Sequence, residues 1–326
     1  MTTFNPQSGG KASQLFDMTV AELRLVADGV IAIELAAPDG GDLPSWEPGA
    51  HIDVLLPNGL VRQYSLCGDP SLRDRWRIAV LREPSSRGGS SWLHDQLQEG
   101  QRIAVAAPRN NFRVVESERY LFVAGGIGIT PILPMVRSVA AKGKQWTLLY
   151  GGRSRRSMAF LEEIEGFQGG ASHIIPQDEF GLLDLDSFLG EHQPDTVVYC
   201  CGPTPLIEAV EQRCRNWRQG ALHLERFAPS EKAKTREKGS FEVELARSGR
   251  RIVVPPHRSI LDVLEENGCK VTNSCRAGIC GTCLVKVLSG VPDHHDDVLS
   301  LDEQAAGDAM LVCVSRAKSD RLVLDL

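Results

Sequence analysis

The sequence predicts a multidomain chain: an antiparallel β-barrel, then an α/β unit on a parallel sheet, then a small α+β unit. Three observations carry this. Apolar residues alternate at period two from Phe16 to about Val114, as in IAIEL, HIDVLL and RWRIAVL, with Pro or Gly between the runs. From Tyr120 the pattern changes to short apolar strands separated by amphipathic helices. The stretch APSEKAKTREKG, Ala228 to Gly239, is charged, lacks large apolar residues and separates two patterned regions, as an exposed linker does. A chain of 326 residues also exceeds a usual single core.

These shifts divide the chain into a flexible N-terminal tail (1–15), a barrel domain (16–115), an α/β domain (116–228), a linker (229–238) and a third domain (239–326). Within the barrel a helix is expected over Ser91 to Leu97, before a strand from Arg102 to Ala106. In the α/β domain, YLFVAGG, WTLLYGG, TVVYCCG and ALHLERF read as strands, with helices from Ile132 to Ala141 and Leu206 to Arg218. The third domain reads as a hairpin (FEVELARSGRRIVVPP), a helix from Ser259 to Asn267, a cysteine loop and two late strands, LVCVSR and RLVLDL.

Composition limits the functions available. With 42% hydrophobic and 24% charged residues the chain is globular. A net charge of −6 and a pI near 5.8 argue against a nucleic-acid partner, which requires a basic face. No run approaches the roughly 18 to 20 apolar residues of a membrane span, and Met1 to Gln14 lacks an apolar signal core, so no membrane association and a cytoplasmic location are expected.

The densest chemical signal is Cys275, Cys280 and Cys283, spaced C-x4-C-x2-C, with Cys313 later. This is the spacing of a plant-type [2Fe-2S] site. Three thiolates on one tight loop need small residues to let the backbone fold round them; Gly278 and Gly281 supply that freedom, and backbone N–H groups then face the sulfurs. The fourth thiolate is expected on a strand. Structural zinc sites usually pair two close C-x2-C halves, whereas these halves are unequal. Neither C-x-H nor C-x2-H occurs, so a Rieske centre is excluded from this chain.

A second signal is Arg62-Gln63-Tyr64-Ser65-Leu66. On a strand Arg62 and Tyr64 share a face, so a cation and a ring can meet one ligand's phosphate and apolar ring system; a surface Arg beside a packed Tyr gives the same pattern. The small-residue loop Arg87-Gly88-Gly89-Ser90-Ser91 favours the first reading, because free N–H groups with an adjacent Arg cradle phosphate. A third signal is Gly125-Gly126-Ile127-Gly128-Ile129-Thr130-Pro131 between strand and helix. Thr130 fits an N-cap and Pro131 the first helical position. It is not G-x-G-x-x-G, and a plain tight turn also uses such glycines. Cys200-Cys201-Gly202-Pro203-Thr204-Pro205 ends a later strand, at the same carboxyl edge where α/β folds bind nucleotides.

In this order the motifs resemble those of the phthalate dioxygenase reductase family, including the reductase components of vanillate-type demethylases, over nearly the whole chain. The resemblance implies a flavin barrel, a pyridine-nucleotide domain and a β-grasp plant-type ferredoxin domain. It implies FMN, since relatives that carry the ferredoxin first generally use FAD, with NADH as electron donor and a Rieske oxygenase as separate partner. By the same resemblance Arg62, Tyr64 and Ser65 contact FMN, Ser65 lying near N5, with Gly88, Gly89 and Ser90 at the phosphate and Ala79, Val80 and Leu81 along the isoalloxazine. Gly125, Gly126 and Thr130 line the dinucleotide path, and Cys201, Gly202 and Pro203 approach the nicotinamide. Phe227 covers the flavin, though a strand-end Phe is ordinarily core. Arg153, with Arg155 and Arg156, lies where ribose or adenosine phosphate sits; arginines there could admit the 2′-phosphate of NADPH, yet similar segments occur in NADH-using relatives. Ser65, Cys201 and Phe227 are the candidates nearest the chemistry.

A diiron hydroxylase or another ferredoxin-like acceptor is the alternative to a Rieske partner, and a non-catalytic redox sensor a remoter one. Cys67, Cys214 and Cys269 read as small core residues. His294 and His295, among aspartates, resemble a metal site but read more readily as a solvated acidic loop.

Overall fold

The computed structural model describes residues 14–84, 88–229 and 239–326. Nearly all of the expected tail and linker, and Arg87 of the small-residue loop, lie outside these residues. The chain divides into two compact units, Gln14–Phe227 and one containing Ala228–Leu326. Among the described residues no helix is long and apolar enough to cross a membrane.

The first unit begins with seven antiparallel strands: β1 (Leu15–Ala27), β2 (Val30–Ala36), β3 (Ala50–Leu55), β4 (Val61–Ser65), β5 (Arg75–Leu81), β6 (Arg102–Ala106) and β7 (Arg109–Asn110). They run in the order β4-β3-β6-β1-β2-β5, with β7 beside β3. A bridge between Leu66 and Ile78 joins the last strand to the first and closes the barrel. The period-two pattern is visible as two cores. Val80, Ile78, Ile33 and Ile52 point into the barrel, whereas Ala79, Val30, Ala32 and Cys67 share a core with the α/β layer. Helix α1 (Gly89–Asp95) starts two residues before the expected Ser91.

The α/β layer holds five parallel strands, β8 (Arg119–Gly125), β9 (Gln145–Gly152), β10 (Gly170–Pro176), β11 (Thr196–Cys201) and β12 (Leu222–Glu225), in the order β10-β9-β8-β11-β12. Helices α2 (Ile129–Ala141), α3 (Leu161–Glu165), α4 (Gln177–Phe180), α5 (Leu185–Leu189) and α6 (Thr204–Arg213) connect them. Connections depart to opposite sides from β8 and β11, so the crevice beyond their carboxyl ends is the switch point where such sheets bind ligands.

One expectation fails there. Thr130 does not cap its helix: a 3₁₀ turn over Gly126–Gly128 runs into α2, which starts at Ile129. The Thr130 hydroxyl donates back to the Ile127 carbonyl at 2.9 Å. Three glycines let the chain tighten before the helix, so the helix begins three residues earlier than the apolar pattern implies. Helix α6 is shorter than expected, breaking into a 3₁₀ turn at Cys214.

The second unit contains β13 (Phe241–Leu245), β14 (Arg250–Val254), α7 (Ile260–Glu266), β15 (Leu284–Ser289), β16 (Pro292–Asp293), α8 (Leu301–Ala306), β17 (Ala309–Leu311), β18 (Arg316–Ala317) and β19 (Arg321–Leu324). Its main sheet has the order β14-β13-β19-β15-β17, with β13 and β19 parallel in a sheet otherwise antiparallel. The hairpin and α7, capped by Ser259, appear where expected. LVCVSR is not one strand: β17 ends at Leu311 and Cys313 lies in a turn before β18.

Gly128 shows how little room the switch point leaves. Its φ of −61° suits any residue, yet an added Cβ would stand 2.2 Å from the Cys201 carbonyl oxygen. Gly128→Ala is therefore expected to destabilise the protein by about 1–3 kcal/mol through overpacking alone. The shift of the urea midpoint at unchanged m-value checks it.

Candidate functional site at the sheet switch point and the cysteine loop

Three strand ends meet in the first unit. Register places Cys201, the last residue of β11, beside Ala124 and Glu225. Glu225 ends β12 and accepts a long hydrogen bond from Ser65 Oγ of the barrel, 3.5 Å from its Oε2. Ser65 and Cys201 thus lie on either side of one carboxyl group. Burial raises the Cys201 thiol well above its ordinary range, and Glu225 adds to that. Burial pushes Glu225 itself up to about 8, against the opposing hydrogen bond from Ser65. Glu225 was not singled out from sequence, where LERF offers only an acidic residue at a strand end; the parallel register to Cys201 was the missing signal.

The two loops at the switch point interlock. A Cβ on Gly125 would meet the Pro203 and Leu206 side chains at 2.7 Å and one on Gly202 would meet the Gly125 backbone at 3.0 Å, so the glycine loop and the Cys201-Gly202-Pro203 loop pack directly together. Gly126 has φ +54° and open space around it. Phe227, two residues beyond Glu225, is 42% exposed. It is a large aromatic left uncovered at the end of the unit, not a core residue.

On the barrel, Gly89 packs against Arg62: a Cβ there would lie 2.6 Å from Arg62 Nε. Only glycine lets the guanidinium side chain lie across the loop, which brings Arg62 and the Gly88–Ser90 backbone together. This fits an anionic group, with Arg62 supplying charge and the loop supplying N–H donors. Tyr64 is half-buried, its hydroxyl pushed up to about 12 by burial. Ala79 and Leu81 face the α/β side, but Val80 fills the barrel core and offers only its backbone, whose carbonyl lies 2.9 Å from His94 Nε2. Arg153 is exposed beyond β9, its carbonyl accepting from Asp178 N–H, and Arg155 stands 3.6 Å from Glu179.

In the second unit the four cysteine sulfurs stand in two hydrogen-bonded pairs, Cys275 with Cys280 and Cys283 with Cys313. Among the described residues no three His, Cys, Asp or Glu side chains converge as a single ion requires. Two pairs match a cluster in which each of two irons takes two thiolates. Within the pairs Cys280 and Cys313 are lowered, chiefly by hydrogen bonds from Cys275 and Cys283. Backbone N–H groups of Ala277 and Ile279 face Cys275, Thr282 faces Cys280 and Gly278 faces Cys313. Such donors stabilise thiolate and tune a bound cluster. Gly278 and Gly281 take φ of +73° and +71°. Arg276, at φ +54°, is held by Asp262 and Glu265 of α7 at 3.0 and 2.5 Å.

His294 and His295 do not lie in a solvated loop. The side chains of His294 and Asp296 are 7% and 0% exposed, and His295 Nε2 lies 2.7 Å from Asp293 Oδ2. Asp296 Oδ1 accepts from the Val298 and Leu299 N–H groups, and Asp297 N–H donates to the Gly278 carbonyl at 2.9 Å. The Asp296 carboxylate turns its own loop, and a backbone hydrogen bond joins that loop to the cysteine loop. Cys67 and Cys214 are buried and Cys269 packs against the ferredoxin-unit core.

A closed antiparallel barrel, a parallel nucleotide-binding sheet and a four-thiolate loop define a flavin and iron–sulfur reductase. Family models agree: "Oxidoreductase NAD-binding domain" matches residues 122–212 and "2Fe-2S iron-sulfur cluster binding domain" residues 243–318. The chain is 45% identical to the phenoxybenzoate dioxygenase subunit beta of Ectopseudomonas oleovorans, covering 92% of this chain and 94% of that one. It is 39% identical to the phthalate dioxygenase reductase of Burkholderia cepacia over the whole of both. A solved phthalate dioxygenase reductase matches with TM-score 0.69 and 38% identity, covering 96% and 98%. An intact type IV self-sufficient cytochrome P450 monooxygenase matches with TM-score 0.89 and 40% identity, but this chain spans only 41% of its length. The chain belongs to the phthalate dioxygenase reductase family. It is an NADH-dependent flavin and iron–sulfur oxidoreductase, an electron-transfer component.

Glu225 gives the site a pH signature. Its folded value of about 8 exceeds the ordinary 4.5, so the unfolded chain releases this proton first. Its contribution to stability is complete below the unfolded value and is lost as pH rises through about 8. Denaturation of flavin-free protein from about pH 5 to about pH 9 is expected to show a falling stability that Glu225→Gln flattens.

Proposed function

We propose that NADH and FMN meet at the crevice bounded by Ser65, Cys201 and Phe227. The observation that carries this is the Ser65–Glu225 contact with Cys201 in register beside it, which joins the barrel to the switch point. FMN, when bound, supplies conversion between a two-electron hydride and the single electrons that a [2Fe-2S] cluster accepts. Arg62 with Gly88, Gly89 and Ser90 holds its phosphate, and Tyr64, Ser65, Ala79, Leu81 and the Val80 backbone line its ring. Gly125, Gly126 and Thr130 line the dinucleotide path, Thr130 through its backbone because its hydroxyl is engaged. Gly202 and Pro203 flank the nicotinamide, and Arg153 lies at the adenosine end. Phe227 excludes water from the flavin face and yields to the nicotinamide. Orientation, not a side-chain acid or base, is the protein's contribution.

In the second unit Cys275, Cys280, Cys283 and Cys313 are the cluster ligands. The working domains are 16–115, 116–228 and 239–326, joined by 229–238, and the protein acts in the cytoplasm. The acceptor is a separate Rieske-type oxygenase, which the likeness to dioxygenase reductases supports; the match to 41% of a self-sufficient P450 supports a P450 acceptor as a second reading. Reconstitution with a Rieske oxygenase or a P450 haem domain separates the two by the rate of product formation.

Cys280→Ala tests the relay. With one ligand missing, iron content and electron delivery to the oxygenase are expected to fall to background. Stopped-flow reduction of FMN by NADH should remain within about twofold, since hydride transfer uses only orientation in the other unit. Loss of both together in a folded variant sinks the proposed order.

A further inference from the structure

We propose that Arg77 is a positioning residue for hydride transfer, acting through a ring of ion pairs that sets the α/β domain on the barrel. The ring crosses between them twice. From β5, Arg77 Nη1 and Nη2 donate to Glu163 Oε1 and Oε2 of α3 at 2.5 and 2.9 Å. Arg77 Nη2 also donates to the Cys67 carbonyl at 2.7 Å. Glu163 Oε2 accepts from Arg137 Nη2 of α2 at 2.9 Å, and Arg137 Nη1 returns to Asp69 of the barrel at 3.5 Å. The Arg77 side chain is 9% exposed, and its guanidinium lies 4.8 Å from the centre of the Phe160 ring. Arg137 lies over Phe167 at 5.3 Å.

A buried ion pair is weak evidence for stability, because desolvation offsets much of its attraction. What the forked arrangement supplies is direction: two parallel N–H···O bonds allow little rotation of one domain against the other. Phe160 takes φ +63°, a left-handed conformation unusual for a bulky residue, directly before α3. The chain holds that strain while Phe160 lies under Arg77 and Glu163 follows three residues on.

The ring joins the parts that orientation depends on. Arg77 is two residues from Ala79 on the strand read as the flavin wall, and Arg137 is on the helix that continues the Gly125–Gly128 loop. This inference rests on the site reading above. In the reaction the nicotinamide C4–H bond breaks, the hydride carries its electron pair to flavin N5, and NADH is oxidised as FMN is reduced. Misplacement by about 1 Å costs such a transfer roughly 10²-fold.

The test compares Arg77→Lys and Arg137→Gln in the full-length holoprotein, with Arg75→Gln, exposed on the same strand, as control. Expected are unchanged FMN content and NADH affinity, a weaker NADH–flavin charge-transfer absorbance, and flavin reduction at saturating NADH slowed roughly 10- to 100-fold for Arg77→Lys. Arg137→Gln should show a smaller slowing in the same direction, and backbone amides of α3 should exchange faster in both. Parental reduction rates with an undiminished charge-transfer band overturn the proposal even if both variants melt earlier. FMN loss in both overturns it as well, because the ring would then serve the barrel alone. If Arg77→Lys does not fold, Arg137→Gln decides. Absence of NADH-dependent flavin reduction in the unmodified holoprotein instead identifies the site reading as the failure, and this inference goes with it.

Discussion

The site depends on backbone touching backbone where β8 and β11 end. Gly128 lies against the Cys201 carbonyl and Gly125 against Pro203 and Leu206, where an added Cβ would stand 2.2 and 2.7 Å away. That approach holds the two loops of the switch point together. With β11 fixed, the parallel register carries Glu225 to the same level as Cys201, and from there its carboxyl reaches Ser65 on the barrel. One steric constraint in the sheet thereby propagates through register to a contact between layers. The barrel in turn must present Ser65 on the correct face, which a one-residue slip of β4 would reverse.

The two units solve the problem of buried polarity differently. Around the cysteines, positive-φ glycines turn the backbone so that N–H groups face the sulfurs, and negative charge on a thiolate finds donors within its own loop. At the switch point the polar groups come from distant segments: Ser65 of the barrel donates a long hydrogen bond to Glu225, which burial holds largely protonated. A closed local loop suits a permanent cluster. A crevice with a largely neutral carboxyl suits ligands that enter and leave.

What was legible in the sequence follows the same division. The four cysteines, the barrel strands and the β-α alternation are local patterns, and they predicted architecture, cluster type and the two strand-end loops. Thr130 was misread because its cap signal competes with the glycines at 125, 126 and 128, which let a 3₁₀ turn form first. Cys313 was placed on a strand because LVCVS is apolar throughout, and only tertiary pairing ends β17 at Leu311. His294 looked solvated because its neighbours are acidic, yet Asp296 spends its charge on backbone N–H groups and folds inward. Glu225, Glu163 and Arg137 were not visible at all, since each acts through a partner 26 to 160 residues away.

The comparisons separate fold from function. A stand-alone dioxygenase reductase and the reductase portion of a fused P450 both cover 96% of this chain, at 38% and 40% identity. One architecture shared by proteins so differently assembled fixes the fold, and function is carried by sites placed on it. In the cysteine loop Arg276 stands out: its side chain is 46% exposed, yet it is fixed by Asp262 and Glu265 and held at a strained φ between Cys275 and Ala277. A guanidinium so restrained beside Cys275 has a defined direction, and it ties the cysteine loop to α7.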